Sequence, residues 1–165
     1  ILRYFNVAGA DKKLRTGLVS KSSSNLIKVI CEVAVGKKKI LKINGKDYAT
    51  KDGTPIRDFI HVSDLSEIHY LTAKDLINNN KSKIFNCGYG KGYSVLEVVD
   101  NMNSIIKRKI PIIFGKRRDK DIKVSISDTK KFYKNFKWKP KYNSLKYILK
   151  TSYEWEKKLK YINKK

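Results

Sequence analysis

A chain of 165 residues with 41% hydrophobic and 11% aromatic side chains has enough apolar material for one folded domain and is short for two. It holds no apolar run of membrane-spanning length and no secretory leader pattern, and its two cysteines lack metal-ligand spacing; the chain reads as cytoplasmic, with Cys31 and Cys87 as small buried hydrophobes. The formal net charge of +23 raises a nucleic-acid role, but the excess comes from 32 lysines scattered along the chain against 6 arginines, with no RNA-binding or zinc-finger motif, which points to a solvated lysine-rich surface.

Ile1 to Phe5 is apolar and extended, and the small residues Asn6-Val7-Ala8-Gly9-Ala10 follow as a tight turn, an arrangement expected where a strand ends beneath a ligand. A start inside a buried strand, with no methionine, reads as a fragment. Residues 11–24 are polar and aperiodic and are expected to form a surface loop. Asn25 is placed to cap a helix whose apolar positions Leu26, Val29, Ile30, Val33 and Ala34 recur at helical spacing, with Gly36 at its C-terminal end. Ile40 to Ile43 alternates and ends at Asn44-Gly45, a hairpin-type turn.

The next twenty residues, from Gly45 to Leu65, hold three unlike signals. Asp52-Gly53-Thr54-Pro55 is turn chemistry, and Ile56 to Val62 reads as a strand carrying Arg57 and Asp58 among apolar neighbours. Ser63-Asp64 followed by Glu67 predicts a capping box opening a helix through Asn80, with Leu65, Ile68, Leu71, Thr72 and Leu76 on one face and His69 outside that stripe. An arginine at the mouth of a strand beside a rigid loop is suited to gripping a phosphate with a bidentate fork, or else to pairing with Asp58 or another neighbour at the surface.

Ile84 to Cys87 is a strand running into Gly88-Tyr-Gly-Lys-Gly92, which lacks the spacing of a dinucleotide loop and reads as a structural turn. Ser94 and Glu97 predict a capping box for a helix over 95–106. Ile110 to Phe114 is a short strand leading to a loop of mixed charge, Lys116-Arg-Arg-Asp-Lys-Asp121. Asp128 is expected to cap a short helix through Phe136. Asn143 or Ser144 opens the last helix, with Leu145, Ile148, Leu149, Ser152, Trp155 and Leu159 on one face and a frayed tail after Tyr161.

The run Asp47-Tyr-Ala-Thr-Lys-Asp-Gly-Thr-Pro-Ile-Arg-Asp-Phe-Ile-His-Val-Ser-Asp-Leu65 resembles the characteristic block of the UDP-glucose 4-epimerases, within the extended short-chain dehydrogenase/reductases. Leu2-Arg-Tyr-Phe-Asn-Val-Ala-Gly-Ala10, the Phe85 to Val98 run and Arg117-Arg-Asp-Lys-Asp121 are similar to further family motifs, with Lys120 replacing a glycine and Ser125 a tyrosine. The resemblance spans the whole of residues 1–165. It implies an α/β fold, the C-terminal end of an NAD(P)-binding Rossmann-type sheet followed by a mixed substrate-binding lobe, without the N-terminal dinucleotide-binding part. It also implies UDP-glucose or UDP-galactose as ligand, NAD as cofactor, and a homodimeric parent.

By the same resemblance, Arg57 and Arg118 contact the diphosphate, Asp121 the ribose hydroxyls, and Asn6, Asn25 and Leu26 complete the substrate pocket. Ile43 and Asn44 lie at the uracil, Asn44 where the family often has an aromatic, and Tyr4 lies beside the nicotinamide. The family's glycine-rich loop and Tyr-x-x-x-Lys catalytic pair are expected outside this chain, so no catalytic residue is assigned. Another sugar-nucleotide epimerase or dehydratase, and a non-catalytic basic module binding nucleic acid, remain the alternatives.

Overall fold

The computed structural model describes residues 1–20 and 22–162, so the end of the tail expected to fray, 163–165, lies outside the described residues. The extended run at the start is two strands, β1 (Leu2–Tyr4) and β2 (Asn6–Ala8), which pair with different partners. β1 lies parallel to β5 (Phe85–Cys87), and β2 lies parallel to the last residues of β4 (Ile56–His61). The first half of β4 pairs with β6 (Gly92–Ser94), antiparallel, and with β8 (Val124–Ser125), parallel.

Asn44-Gly45 does not close a hairpin. β3 (Leu41–Asn44) pairs in parallel with β7 (Ile112–Gly115), from Leu41 opposite Ile112 to Asn44 opposite Gly115. Both flanks of β4 are already taken, so β3 finds its partner across a long connection, as parallel pairing requires. Gly45 still takes a left-handed φ of +84°, turning the chain into the loop that leads to β4.

The helices follow local chemistry with one exception. α1 (Leu26–Ala34) is capped by Asn25, whose Oδ1 accepts from the Lys28 N–H at 3.1 Å, and Gly36 just past its end has φ +75°. α3 (Val95–Ile106) carries the expected Ser94/Glu97 capping box. The N-cap of α4 (Lys130–Asn135) is Thr129, which makes no side-chain cap bond, and not Asp128, although Asp128 Oδ1 one residue earlier accepts from the Lys130 N–H at 3.1 Å. The exception is α2 (Val62–Asn79), where the Asp64/Glu67 box does not form and His61 is the N-cap, its Nδ1 accepting from Ser63 N–H at 3.1 Å. Tertiary donors claim Asp64 instead: it is fully buried and accepts from Tyr89 Oη at 2.5 Å and from the N–H groups of Lys141 and Tyr142 at 3.0 and 2.9 Å.

α5 (Leu145–Ile162) lies against α1 and α3 around a core of Ile30, Leu41, Val98, Met102, Ile148 and Leu149, each contributing about 1.5–3 kcal/mol through burial. A second core joins Ile60, Ile68, Phe85, Phe132 and Trp138. Cys31 and Cys87 are free and buried, as expected. No helix among the described residues is long and apolar enough to cross a membrane.

Candidate functional site

β2, β3, β4, the start of α1 and the loop after β7 surround a cleft of about 650 Å³. Its lining includes Asn6, Asn25, Leu26, Ile43, Asn44, Arg57, Arg118 and Asp121, every residue that the sequence pointed to for a bound nucleotide sugar. They are scattered along the chain from Asn6 to Asp121, so the parallel pairings of β2 with β4 and β3 with β7 are what bring them together.

Arg57 does not pair with its neighbour Asp58. It donates from Nη2 to Asp121 Oδ1 at 2.5 Å and to the Ile122 carbonyl at 2.8 Å, and from Nη1 to the Ile56 carbonyl at 2.8 Å. Among the described residues its Nε–H and one Nη1–H remain uncommitted. Asp58 points the other way, is fully buried, and accepts from the N–H groups of Tyr89, Gly90 and Ser127 at 3.1, 3.0 and 3.2 Å and from the Ser127 hydroxyl. It is thus the reason that the Gly88–Gly92 segment is a structural turn.

Asn6 donates from Nδ2 to the Asp58 carbonyl at 3.1 Å, which fixes its amide at the base of the cleft. With its side-chain oxygen turned toward the loop, Asn44 accepts from Arg118 Nε at 3.0 Å and Nη2 at 3.3 Å, an orienting role for the residue that stands in place of an aromatic. Lys120 takes φ +58°, so the loop keeps a left-handed backbone at the position where the resembling motif has glycine. Asp121 also accepts from Tyr48 Oη at 3.2 Å, and burial and that carboxylate raise the Tyr48 hydroxyl above its ordinary pKa.

Among the described residues three cations, Lys42, Arg57 and Arg118, face one carboxylate, Asp121, and the α1 N-terminus adds a favourable dipole. That arrangement suits a polyanion carrying hydroxyls. Sequence reasoning did not assign Ser23, Ser24, Lys42 or Phe59, which also line the cleft. Phe59 was detectable, since it shares a strand face with Arg57; the serines were not, because an aperiodic loop gives no direction.

A family model described as the NAD dependent epimerase/dehydratase family matches residues 1–88. The chain belongs to the NAD dependent epimerase/dehydratase family.

Among relatives in this epimerase/dehydratase family, a UDP-glucose 4-epimerase of Azospirillum brasilense is 42% identical over 159 residues, covering 96% of this chain and 46% of its own length. A crystal structure of UDP-glucose-4-epimerase from Stenotrophomonas maltophila, with bound NAD and formylated UDP-arabinopyranose, is 33% identical with a TM-score of 0.92, covering 98% of this chain and 48% of its own. The UDP-Glc/GlcNAc 4-epimerase of Campylobacter jejuni is 46% identical with a TM-score of 0.78, over 96% of this chain and 48% of its own. The chain therefore spans about half the length of these relatives, and its α/β fold with parallel sheets is the family's fold.

Tyr4 stands apart from the cleft. It is 52% exposed, its ring centroid is 5.8 Å from that of His69, and it borders a shallow adjoining groove with Asn6, Arg57, Asn86, Asp121 and Ser125. The Tyr-x-x-x-Lys spacing expected to be absent does occur, in Tyr70/Lys74, Tyr133/Lys137, Tyr142/Lys146 and Tyr153/Lys157, and in Tyr161/Lys165, whose lysine is outside the described residues. With 32 lysines such spacings arise by composition, and none of the described pairs lines the cleft.

Proposed function

We propose that residues 1–165 are the substrate-binding part of an NAD-dependent UDP-glucose 4-epimerase, with the dinucleotide-binding part and the catalytic Tyr-x-x-x-Lys pair elsewhere in a cytoplasmic, homodimeric protein. The observation that carries this reading is the convergence of Asn6, Asn25, Leu26, Ile43, Asn44, Arg57, Arg118 and Asp121 on one cleft. The free N–H groups of Arg57 and the fork of Arg118 grip the diphosphate. Asp121 keeps a lone pair on each oxygen to accept from the ribose hydroxyls. Holding the nucleotide tightly and the hexose loosely lets the sugar turn over within the site, because binding energy at the diphosphate is independent of which face of the hexose is presented.

The half-exposed ring of Tyr4, beside a groove that shares Asn6, Arg57 and Asp121 with the cleft, fits a nicotinamide laid against it. NAD, if held there, would supply hydride-transfer chemistry at the sugar's C4. The residues described here bind and orient. The Campylobacter jejuni relative, named for both UDP-Glc and UDP-GlcNAc, supports a second reading in which N-acetylated UDP-sugars also enter.

Calorimetric titration with UDP tests the proposal. Arg57→Ala is expected to weaken binding by about 1.5–3 kcal/mol, the scale of hydrogen bonds to a charged group. A change near zero removes Arg57 from the site, and a strongly salt-dependent DNA affinity that survives Arg57→Ala favours a basic nucleic-acid-binding module instead.

A further inference from the structure

We propose that Tyr48, which does not line the cleft, is a positioning residue for it: acting through Asp121, it holds the Arg57 guanidinium in the orientation that grips a nucleoside diphosphate. The inference rests on the reading of the cleft as a UDP-sugar site.

Tyr48 is only 4% exposed, in the loop between β3 and β4, and its ring has little freedom. It packs on Gly45, where a Cβ would come within 2.5 Å of the ring. The Arg117 guanidinium lies 4.1 Å from its centroid, itself held by Nε donation to Asp47 Oδ1 at 2.7 Å. The ring so packed donates its hydroxyl to Asp121 Oδ2, 3.2 Å away, while the other oxygen of the same carboxylate receives Arg57 Nη2 at 2.5 Å.

Asp121 lies in the loop between β7 and β8, outside any strand, so its carboxylate is oriented by these two donors from separate elements. Without the hydroxyl the carboxylate loses one of its two donors, so Arg57 keeps its charge but rests on a less firmly oriented partner. An arginine contributes orientation as well as charge. The raised Tyr48 hydroxyl stays protonated through neutral pH and remains a donor.

The test is UDP titration, in the full polypeptide that carries these residues, of the wild type, Tyr48→Phe, Asp121→Asn and the double variant, with circular dichroism melting to follow the fold. Tyr48→Phe keeps the ring and removes one hydrogen bond, so a roughly three- to ten-fold loss of UDP affinity is expected with the melting temperature nearly unchanged. Because the hydroxyl acts through Asp121, the same substitution on top of Asp121→Asn adds no further loss. In wild-type protein labelled with [13Cζ]tyrosine, the Tyr48 resonance shifts when UDP is added.

Wild-type affinity in Tyr48→Phe, a loss that adds in full to that of Asp121→Asn, or a Tyr48 resonance unmoved by UDP overturns the positioning role while leaving the cleft's assignment standing. Should Tyr48→Phe fail to fold, the resonance in the wild type still decides. Absence of UDP binding by the wild type overturns both.

Discussion

Two clusters of basic side chains have opposite settings in this fold. Between α1 and α5, Lys28 and Lys37 donate to the two oxygens of Glu156 at 2.5 and 2.7 Å, while Glu32 takes Lys38 at 2.8 Å and lies 3.5 Å from Lys28. Glu156 is 1% and Lys28 6% exposed, and every charge there has an opposite partner. In the cleft, among the described residues, Lys42, Arg57 and Arg118 face Asp121 alone, and N–H donors of Arg57 remain uncommitted. Paired buried charge holds helices together; cations in excess over carboxylates, around an open cavity, are arranged for something outside the chain.

The largest effect that could break this contrast is at Glu156. Glu156→Gln leaves Lys28 buried with only Glu32 nearby and is expected to cost about 3–5 kcal/mol in urea denaturation, with the UDP affinity of the folded protein unchanged. Arg118→Ala is expected to do the reverse, weakening UDP by about 1.5–3 kcal/mol and changing stability by less than about 0.5 kcal/mol, since Arg118 is exposed and its guanidinium bonds to Asn44 at the cleft. Equal unfolding by both substitutions would erase the distinction.

Acid sharpens it. Burial pushes the Glu156 carboxyl upward, but Lys28 and Lys37 outweigh that and hold it below its ordinary 4.5; burial likewise pushes His61 below 6.5, against the opposing pull of Asp64. In both cases the folded state binds fewer protons than the unfolded one as pH falls, so stability is complete above the unfolded pKa and is lost on descent. Melting temperature is expected to drop first below about pH 6.5, through His61, and again below about pH 4.5, through Glu156. A melting temperature flat from pH 7 to 4 would contradict both assignments. The smallest effect is at the cleft's rim: Lys120→Gly relieves a left-handed backbone at φ +58° and is expected to stabilise by about 0.5–1 kcal/mol by the same denaturation assay, with UDP binding kept.

Local chemistry was the legible part of the sequence. Asn25 as a cap, the Ser94/Glu97 box and the periodicity of α1, α3 and α5 involve residues a few positions apart, where the backbone itself sets who meets whom. The cleft residues were legible for a different reason, as motifs shared with a family, and not because anything in their spacing predicted a common cavity. Asp64 shows where local reading fails. Its distance from Glu67 fits a capping box, yet donors from Tyr89, Lys141 and Tyr142 take the carboxylate, because a buried charge goes to the set of donors that best satisfies it.

The sequence by itself determined the helices, the turn before β4, the α/β class and the residue types that could hold a nucleotide sugar, since each depends on short-range geometry or on a recognisable run of residues. Only the tertiary structure decided that β3 pairs with β7, that Arg57 turns to Asp121 and away from Asp58, and that Tyr48 supports them from behind. Those choices join residues tens of positions apart through burial and hydrogen bonding, and no local preference of the chain encodes them.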